Sequence, residues 1–165
     1  MNTFKTVKSK IYTKEAIISL IITVFIFTLD RLSKNNIIKH QLTNESMFVN
    51  DYLNFDLIWN TGIGFGLFSH NANVYYHLIS FLIFLVIVFL SYLISRSNFT
   101  EKVLFSLILG GALGNFYDRL YYFAVPDFID IHINNFHWFT FNIADIFITI
   151  GIIFILSKDL ILNKK

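Results

Sequence analysis

Four stretches of this chain stay apolar long enough to sit in a bilayer, whose hydrocarbon core takes about 20 helical residues. The first runs from Ala16 to Leu29 and reaches Lys34, because Lys14 and Lys34 can snorkel from its two ends. The second, Val74 to Ile94, carries no charge. The third starts at Val103 and is uncharged to Tyr117, where Asp118 and Arg119 interrupt it before the apolar pattern resumes. The fourth begins near Phe141 and ends near Leu156, with Asp145 inside it. The pattern predicts a membrane all-α protein with four transmembrane helices, at about 15–34, 74–95, 103–123 and 141–160, in one domain, 1–165. A cleaved leader competes for the first stretch, but no small-residue cleavage site follows Leu29, so it reads as a retained helix.

The two longer connections, 35–73 and 124–140, change period. Leu53, Phe55, Leu57 and Trp59 alternate with Asn54 and Asp56, and Ile129, Ile131 and Ile133 alternate with Asp130, His132 and Asn134. Alternation of this kind predicts short strands, hence a small β element beside the helices. Asn134-Asn135 fits a turn between two of them, since Asn tolerates positive φ. No internal repeat relates the first pair of spans to the second, which argues against an inverted-repeat transporter.

Composition sharpens the picture by exclusion. Of 165 residues, 55% are hydrophobic and 15% charged, which no ordinary soluble domain matches. The absence of cysteine removes disulfides, Cys-ligated metals and thiol nucleophiles together. A net charge of +2 is too small for a nucleic-acid footprint. The basic residues give orientation instead. Lys5, Lys8, Lys10 and Lys14 precede span one, Arg96 and Lys102 fill the short link between spans two and three, and Lys158, Lys164 and Lys165 follow span four. Loops 35–73 and 124–140 hold Lys39 alone. By the positive-inside rule both termini are cytoplasmic and both long loops, with the β element, extracytoplasmic.

A carboxyl inside a bilayer is costly unless paired, neutralised or wet, so each one is a functional candidate. Asp30, Asp118, Asp127 and Asp145 all map to the outward ends of the spans. Asn115 and Asp118 are three apart, as are Asn142 and Asp145, so each span presents an amide and a carboxyl on one face. Gly110, Gly111 and Gly114 allow close approach of another helix, with packing the favoured role. A fold-back about Asn134-Asn135 pairs Phe128 with Phe141 and sets Asp127 opposite Asn142, one helical turn from Asp145. Asp118 sits next to Arg119, and that or another basic group would hold it ionised as a structural partner. Asp127 and Asp145 thus make the better dyad: two close carboxyls in a dry site share a proton, one taking a proton from water while the other gives one. Such chemistry needs no metal and no cofactor.

At these residues the chain resembles the bacterial lipoprotein signal peptidases, the signal peptidase II family of aspartyl peptidases. The motif GGALGNFYDR at 110–119 is similar to that family's most specific element, FNIAD at 141–145 to its second, and Val125-Pro126-Asp127-Phe128 to its Val-Val-Asp-Phe stretch. Asp30 with Lys34, and Asn60 through Gly66, match two further elements. The resemblance implies that Asp127 and Asp145 are catalytic, that Asn115, Asp118, Arg119, Asn142 and Ala144 support them, that Asn60 and Gly62 lie in the substrate region, and that Asp30 and Lys34 are structural. It implies a prolipoprotein substrate whose cysteine carries diacylglycerol, cleavage just before that cysteine, contact with membrane lipid, and inhibition by globomycin-type cyclic peptides. It also implies residence in the bacterial inner membrane, multi-pass, with the site near the periplasmic face. Pro126 and Gly64 depart from the family, which has Val and Ala there; Pro126 removes a backbone donor beside Asp127.

Blander readings stand beside these. His40, His70, His77, His132 and His137 show no metal-ligand spacing. Trp59, Trp138, Tyr52, Tyr121 and Tyr122 suit an outer aromatic belt. Asp30 with Lys34 is an i,i+4 pair. A proton relay would need acids across the membrane, whereas these gather at one face, and a structural subunit would not need two Asn-plus-Asp faces.

Overall fold

The computed structural model describes residues 14–42, 46–62, 72–134 and 136–162. The topology residues Lys5, Lys8, Lys10, Lys164 and Lys165 lie outside these, as do Gly64, Gly66, His70 and the turn residue Asn135. The chain runs α1 (Lys14–Gln41), β1 (Met47–Asn50), β2 (Leu53–Asn60), α2 (Ala72–Arg96), α3 (Phe99–Tyr121), β3 (Val125–Ile133), β4 (Phe136–Phe141) and α4 (Ile143–Leu162). Among the described residues, α1 and Tyr76–Arg96 within α2 are long and apolar enough to cross a membrane.

The element ends differ from the hydropathy boundaries for local reasons. Helix α1 continues past Lys34 to Gln41, so the first seven or so residues of the predicted loop 35–73 are helical. Helix α3 begins at Phe99, before the charged Glu101 and Lys102, because the Asn98 side chain accepts a hydrogen bond from the Glu101 N–H (3.2 Å) as an N-cap. It stops at Tyr121, where Phe123 takes a left-handed φ of 55° and turns the chain into β3. Helix α4 begins at Ile143 because Phe141 still belongs to β4.

Helix α3 is the centre of the bundle and packs against all three other helices. The distribution of side chains is inverted relative to a soluble protein. Leu20, Ile21 and Phe25 of α1 are 60% or more exposed, while Asp30 and Lys34 on the same helix are at 0%. The glycines of α3 explain how tightly the helices cross. A Cβ on Gly110 would lie 2.7 Å from Ile26 Cβ of α1, and one on Gly111 would lie 2.6 Å from the Ala144 carbonyl oxygen of α4. These glycines therefore serve helix packing, on two opposite neighbours. Gly111→Ala forces a backbone carbonyl to move, so it should lower stability by about 1–3 kcal/mol. A thermal unfolding midpoint in detergent equal to that of the unaltered protein would sink this account of the crossing.

Both loop regions join in one antiparallel sheet of order β1-β2-β3-β4. The alternation in β2 and β3 thus marks strands that pair with each other, from Leu53↔Ile131 to Asn60↔Val125, across a bulge between Phe55 and Ile58. The side chain of Gln41, at the end of α1, serves the backbone there: its Nε2 donates to the Phe55 carbonyl (3.0 Å) and its Oε1 accepts from the Leu57 N–H (2.8 Å). Ile37 of α1 packs with Phe128 and Ile129 of β3, tying the sheet to the helices.

Two details depart from the sequence reading. The β3–β4 hairpin has the predicted register near its turn, His132↔His137 and Ile133↔Phe136, with Asn134 at φ 52°. A bulge then shifts it by one, so that Phe141 pairs with Ile129 rather than Phe128. In outer β3 the buried face is the polar one: Ile131 is 41% and Ile133 53% exposed, while Asp130 and His132 are buried. Pro126 lies within β3 opposite Trp59 of β2, in a part of the strand that precedes the pairing with β4, which starts at Ile129.

Candidate active site

Asn142 organises the site. It stands between the end of β4 and the start of α4 and acts as the α4 N-cap: its Oδ1 accepts from the Asp145 N–H (3.1 Å), and the Asp145 Oδ2 accepts from the Asn142 N–H (3.2 Å). This is a reciprocal capping box, which holds the Asp145 carboxylate against the helix N-terminus. The same Asn142 side chain donates from Nδ2 to Asp127 Oδ1 at 2.6 Å. One residue therefore touches both candidate carboxyls, Asp127 through its side chain and Asp145 through its backbone N–H, although the bulge has shifted the hairpin register.

Each carboxyl has a second amide. Asn60, at the end of β2, donates from Nδ2 to Asp127 Oδ2 (2.9 Å), and its own Oδ1 accepts from the Gly62 N–H (2.7 Å) in an Asx turn that orients the side chain. Gly62 itself has φ 75°, a left-handed value that glycine adopts without strain. Asn115 of α3 donates from Nδ2 to Asp145 Oδ1 (2.8 Å). Asp127 is 4% exposed, and burial pushes its carboxyl above the usual carboxylate range, an effect that the two amide donors oppose.

Beneath this pair lies a buried ionic hub. The Lys34 ammonium donates to Asp30 Oδ2 (2.9 Å), Asp118 Oδ2 (2.7 Å) and Asn115 Oδ1 (2.8 Å). The Asn115 amide is thus gripped at both ends, its oxygen by Lys34 and its nitrogen by Asp145. Asp30 Oδ1 accepts from the Ala144 N–H (3.0 Å), which satisfies one of the free donors of the α4 start. The expected i,i+4 pair of Asp30 and Lys34 is present, but as part of a hub that spans α1, α3 and α4. Asp118 pairs with Lys34 and Arg31 rather than with its neighbour Arg119, whose Nη1 donates to the Asn115 carbonyl (3.0 Å).

The candidate residues thus separate into two layers. Asn60, Asn115, Asp127, Asn142 and Asp145 meet at the junction of the sheet with α3 and α4, while Asp30, Lys34 and Asp118 meet below them. Sequence reasoning gave no role to Arg31; its only local signal was an arginine beside Asp30 just past the apolar stretch Ala16–Leu29. It also left the capping box unread, although Asn-x-x-Asp ahead of an apolar run is its signature. A third cluster, Asp130 with His132 and His137, brings together ligand atoms that linear spacing keeps apart.

Comparison with known proteins agrees over nearly the whole chain. Residues 22–161 match the family described as signal peptidase (SPase) II. A lipoprotein signal peptidase of Pelagibacter ubique (strain HTCC1062) is 44% identical over 159 residues, 95% of this chain and 96% of that protein. One of Anaplasma phagocytophilum (strain HZ) is 40% identical over 150 residues, 89% and 94% of the two chains. Two solved structures described as a bacterial membrane enzyme superimpose with TM-scores of 0.75 and 0.70, at 32% and 33% identity, covering 86% and 89% of this chain and 92% and 91% of theirs.

Proposed function

The chain belongs to the signal peptidase II family, and on that premise we propose that Asp127 and Asp145 are the two carboxyls that carry out its reaction. The family cleaves signal peptides from prolipoproteins, and this chain is a protease of that kind. What supports the pair is Asn142, whose side chain donates to the Asp127 carboxyl while its backbone N–H donates to the Asp145 carboxyl.

The chemistry follows from the environments. Buried Asp127 carries the proton of the pair, and the less buried Asp145 is the base. Asp145 takes a proton from water as its oxygen bonds to the scissile carbonyl carbon, and Asp127 gives its proton to the carbonyl oxygen. The tetrahedral diol then collapses: the C–N bond breaks, the departing amine takes the proton held by Asp145, and a hydroxyl proton returns to Asp127. Asn115, Asn142 and Asn60 hold the carboxyls in place, and Asp118 and Arg119 act as supports through Lys34 and the Asn115 backbone.

We further place all four helices across a bacterial inner membrane, with both termini cytoplasmic and the sheet and site near the periplasmic face, which the lysine and arginine pattern supports. The substrate is then a prolipoprotein whose cysteine carries diacylglycerol, cut just before that residue, and a globomycin-type peptide competes for the same site. The test is cleavage by the purified chain of one prolipoprotein peptide with and without its diacylglyceryl group. Cleavage that requires the lipid is expected; equal cleavage of both forms overturns the lipid-directed reading, and none by a folded protein overturns the site.

The pH profile carries a separate prediction. Activity falls on the alkaline side when the pair loses its shared proton. The Asn60 amide opposes the upward push on Asp127, so Asn60→Ala should move the alkaline limb of kcat/KM to higher pH. A limb that stays in place, or moves down, contradicts the assignment of the proton to Asp127.

A further inference from the structure

We propose that Asp130, His132 and His137 form a binding site for a divalent d-block cation of the zinc type, at the outer end of the β3–β4 hairpin and separate from the catalytic pair. Asp130 and His132 are two apart on β3 and so share a face, and the register sets His137 directly opposite His132. One oxygen of Asp130 and one nitrogen of each imidazole lie within 4.8 Å of one another. Asp130 Oδ2 is 2.8 Å from His137 Nδ1 and 3.6 Å from His132 Nδ1. Ligands on a tetrahedral zinc, each about 2.0–2.2 Å from the metal, stand about 3.4 Å apart, a spacing these two distances bracket.

A carboxylate bonded to one histidine is a common arrangement without any metal, and it accounts for His137. It does not account for His132. That residue is 8% exposed, yet its Nδ1 is buried with no hydrogen-bond partner. Asn54, opposite Asp130 across the β2–β3 pairing, has a buried Oδ1 that also lacks a partner. Orphaned polar atoms in a folded protein carry a cost that calls for an explanation, and here two of them flank one carboxylate. A cation ligated by His132 Nδ1 removes the first, and a water on that cation can donate to the second. Two imidazoles and one carboxylate suit zinc and its d-block neighbours rather than calcium or magnesium, which take oxygen ligands. His137, with its side chain 57% exposed, leaves the cation a way in. The bound ion would cross-link the two strands beside Asn134 and stiffen the strand whose other end carries Asp127.

The test uses the full-length chain without a histidine tag, in detergent, titrated with Zn2+ against a competing chelator. One equivalent is expected to bind, to raise the thermal unfolding midpoint, and to be lost as pH falls and protons compete for the imidazoles. His137→Ala alters an exposed side chain and should fold normally, yet lower the affinity at least about tenfold and abolish the midpoint shift. Asp130→Asn should do the same. No binding by the unaltered chain overturns the proposal. So does binding that both variants retain, because the ion would then sit on other histidines.

Discussion

Asp127→Asn should lower kcat/KM for a lipidated prolipoprotein by about 10²–10⁴-fold, and Asp145→Asn should do so to a similar extent, since each removes one half of the proposed proton-transfer pair. Neither change is silent structurally. Both oxygens of Asp127 accept from amide nitrogens, of Asn142 and Asn60, so the asparagine sets one N–H against another donor. Those amides cannot simply turn over, because their oxygens already accept from the Asp145 and Gly62 N–H groups. Folding must therefore be measured beside activity. The dependence of stability on pH provides a second signature. With its pKa raised by burial, Asp127 binds its proton more tightly in the folded state than at the unfolded value of about 3.9. Its contribution to stability is thus present at low pH and lost as pH rises through the folded value. Asparagine cannot titrate, so the variant's unfolding midpoint should vary less over that range. A folded Asp127→Asn protein that keeps its activity to within about tenfold moves the chemistry to another residue.

Lys34→Met should be the most damaging single change to stability, at about 3–5 kcal/mol. Lys34 is wholly buried and is the shared partner of Asp30 and Asp118, which are themselves at 0% exposure. Methionine fills much of the volume but leaves Arg31 as the one cation paired with those carboxylates among the described residues. The penalty comes from anions left in a dry interior rather than from the ion pairs lost, so it should be partly reversible. Adding Asp30→Asn and Asp118→Asn to Lys34→Met removes the stranded charge and should recover a substantial part of the loss in a detergent unfolding assay. If the triple variant is no more stable than the single one, the hub's role lies in packing and the electrostatic account fails.

Local pattern and long-range partnership differ in how legible they were. Alternation at Leu53, Phe55, Leu57 and Trp59 marked β2, and Asn134 marked the turn, because a strand's period and a turn's φ are properties of a few adjacent residues. The meeting of Asp127 with Asn142 was also legible, through the length of the hairpin, even though a bulge displaced the register beyond Asp130. What escaped was the choice among distant partners. Nothing near Asp118 says that it pairs with Arg31 and Lys34 rather than Arg119; that follows from how α1 crosses α3 over Gly110 and Gly114. The stacked rings of His132 and His137, 5.1 Å apart, escaped for the same reason: their proximity belongs to strand pairing and not to sequence spacing.

The arrangement around Lys34 also bears on when a chain of this kind becomes active. A growing polypeptide emerges from the amino end, so of the partners described for Lys34 the first to be made is Asp30, on its own helix. Asn115 and Asp118 arrive with α3, and Ala144, Asn142 and Asp145 come with the start of α4. Until that helix is in place, Asn115 lacks its Asp145 carboxylate and Asp127 lacks the Asn142 amide. With Asp127 and Asp145 as the proposed pair, a chain in which α4 has not yet joined α3 and the hairpin is therefore inert, and proteolytic competence begins only with that step.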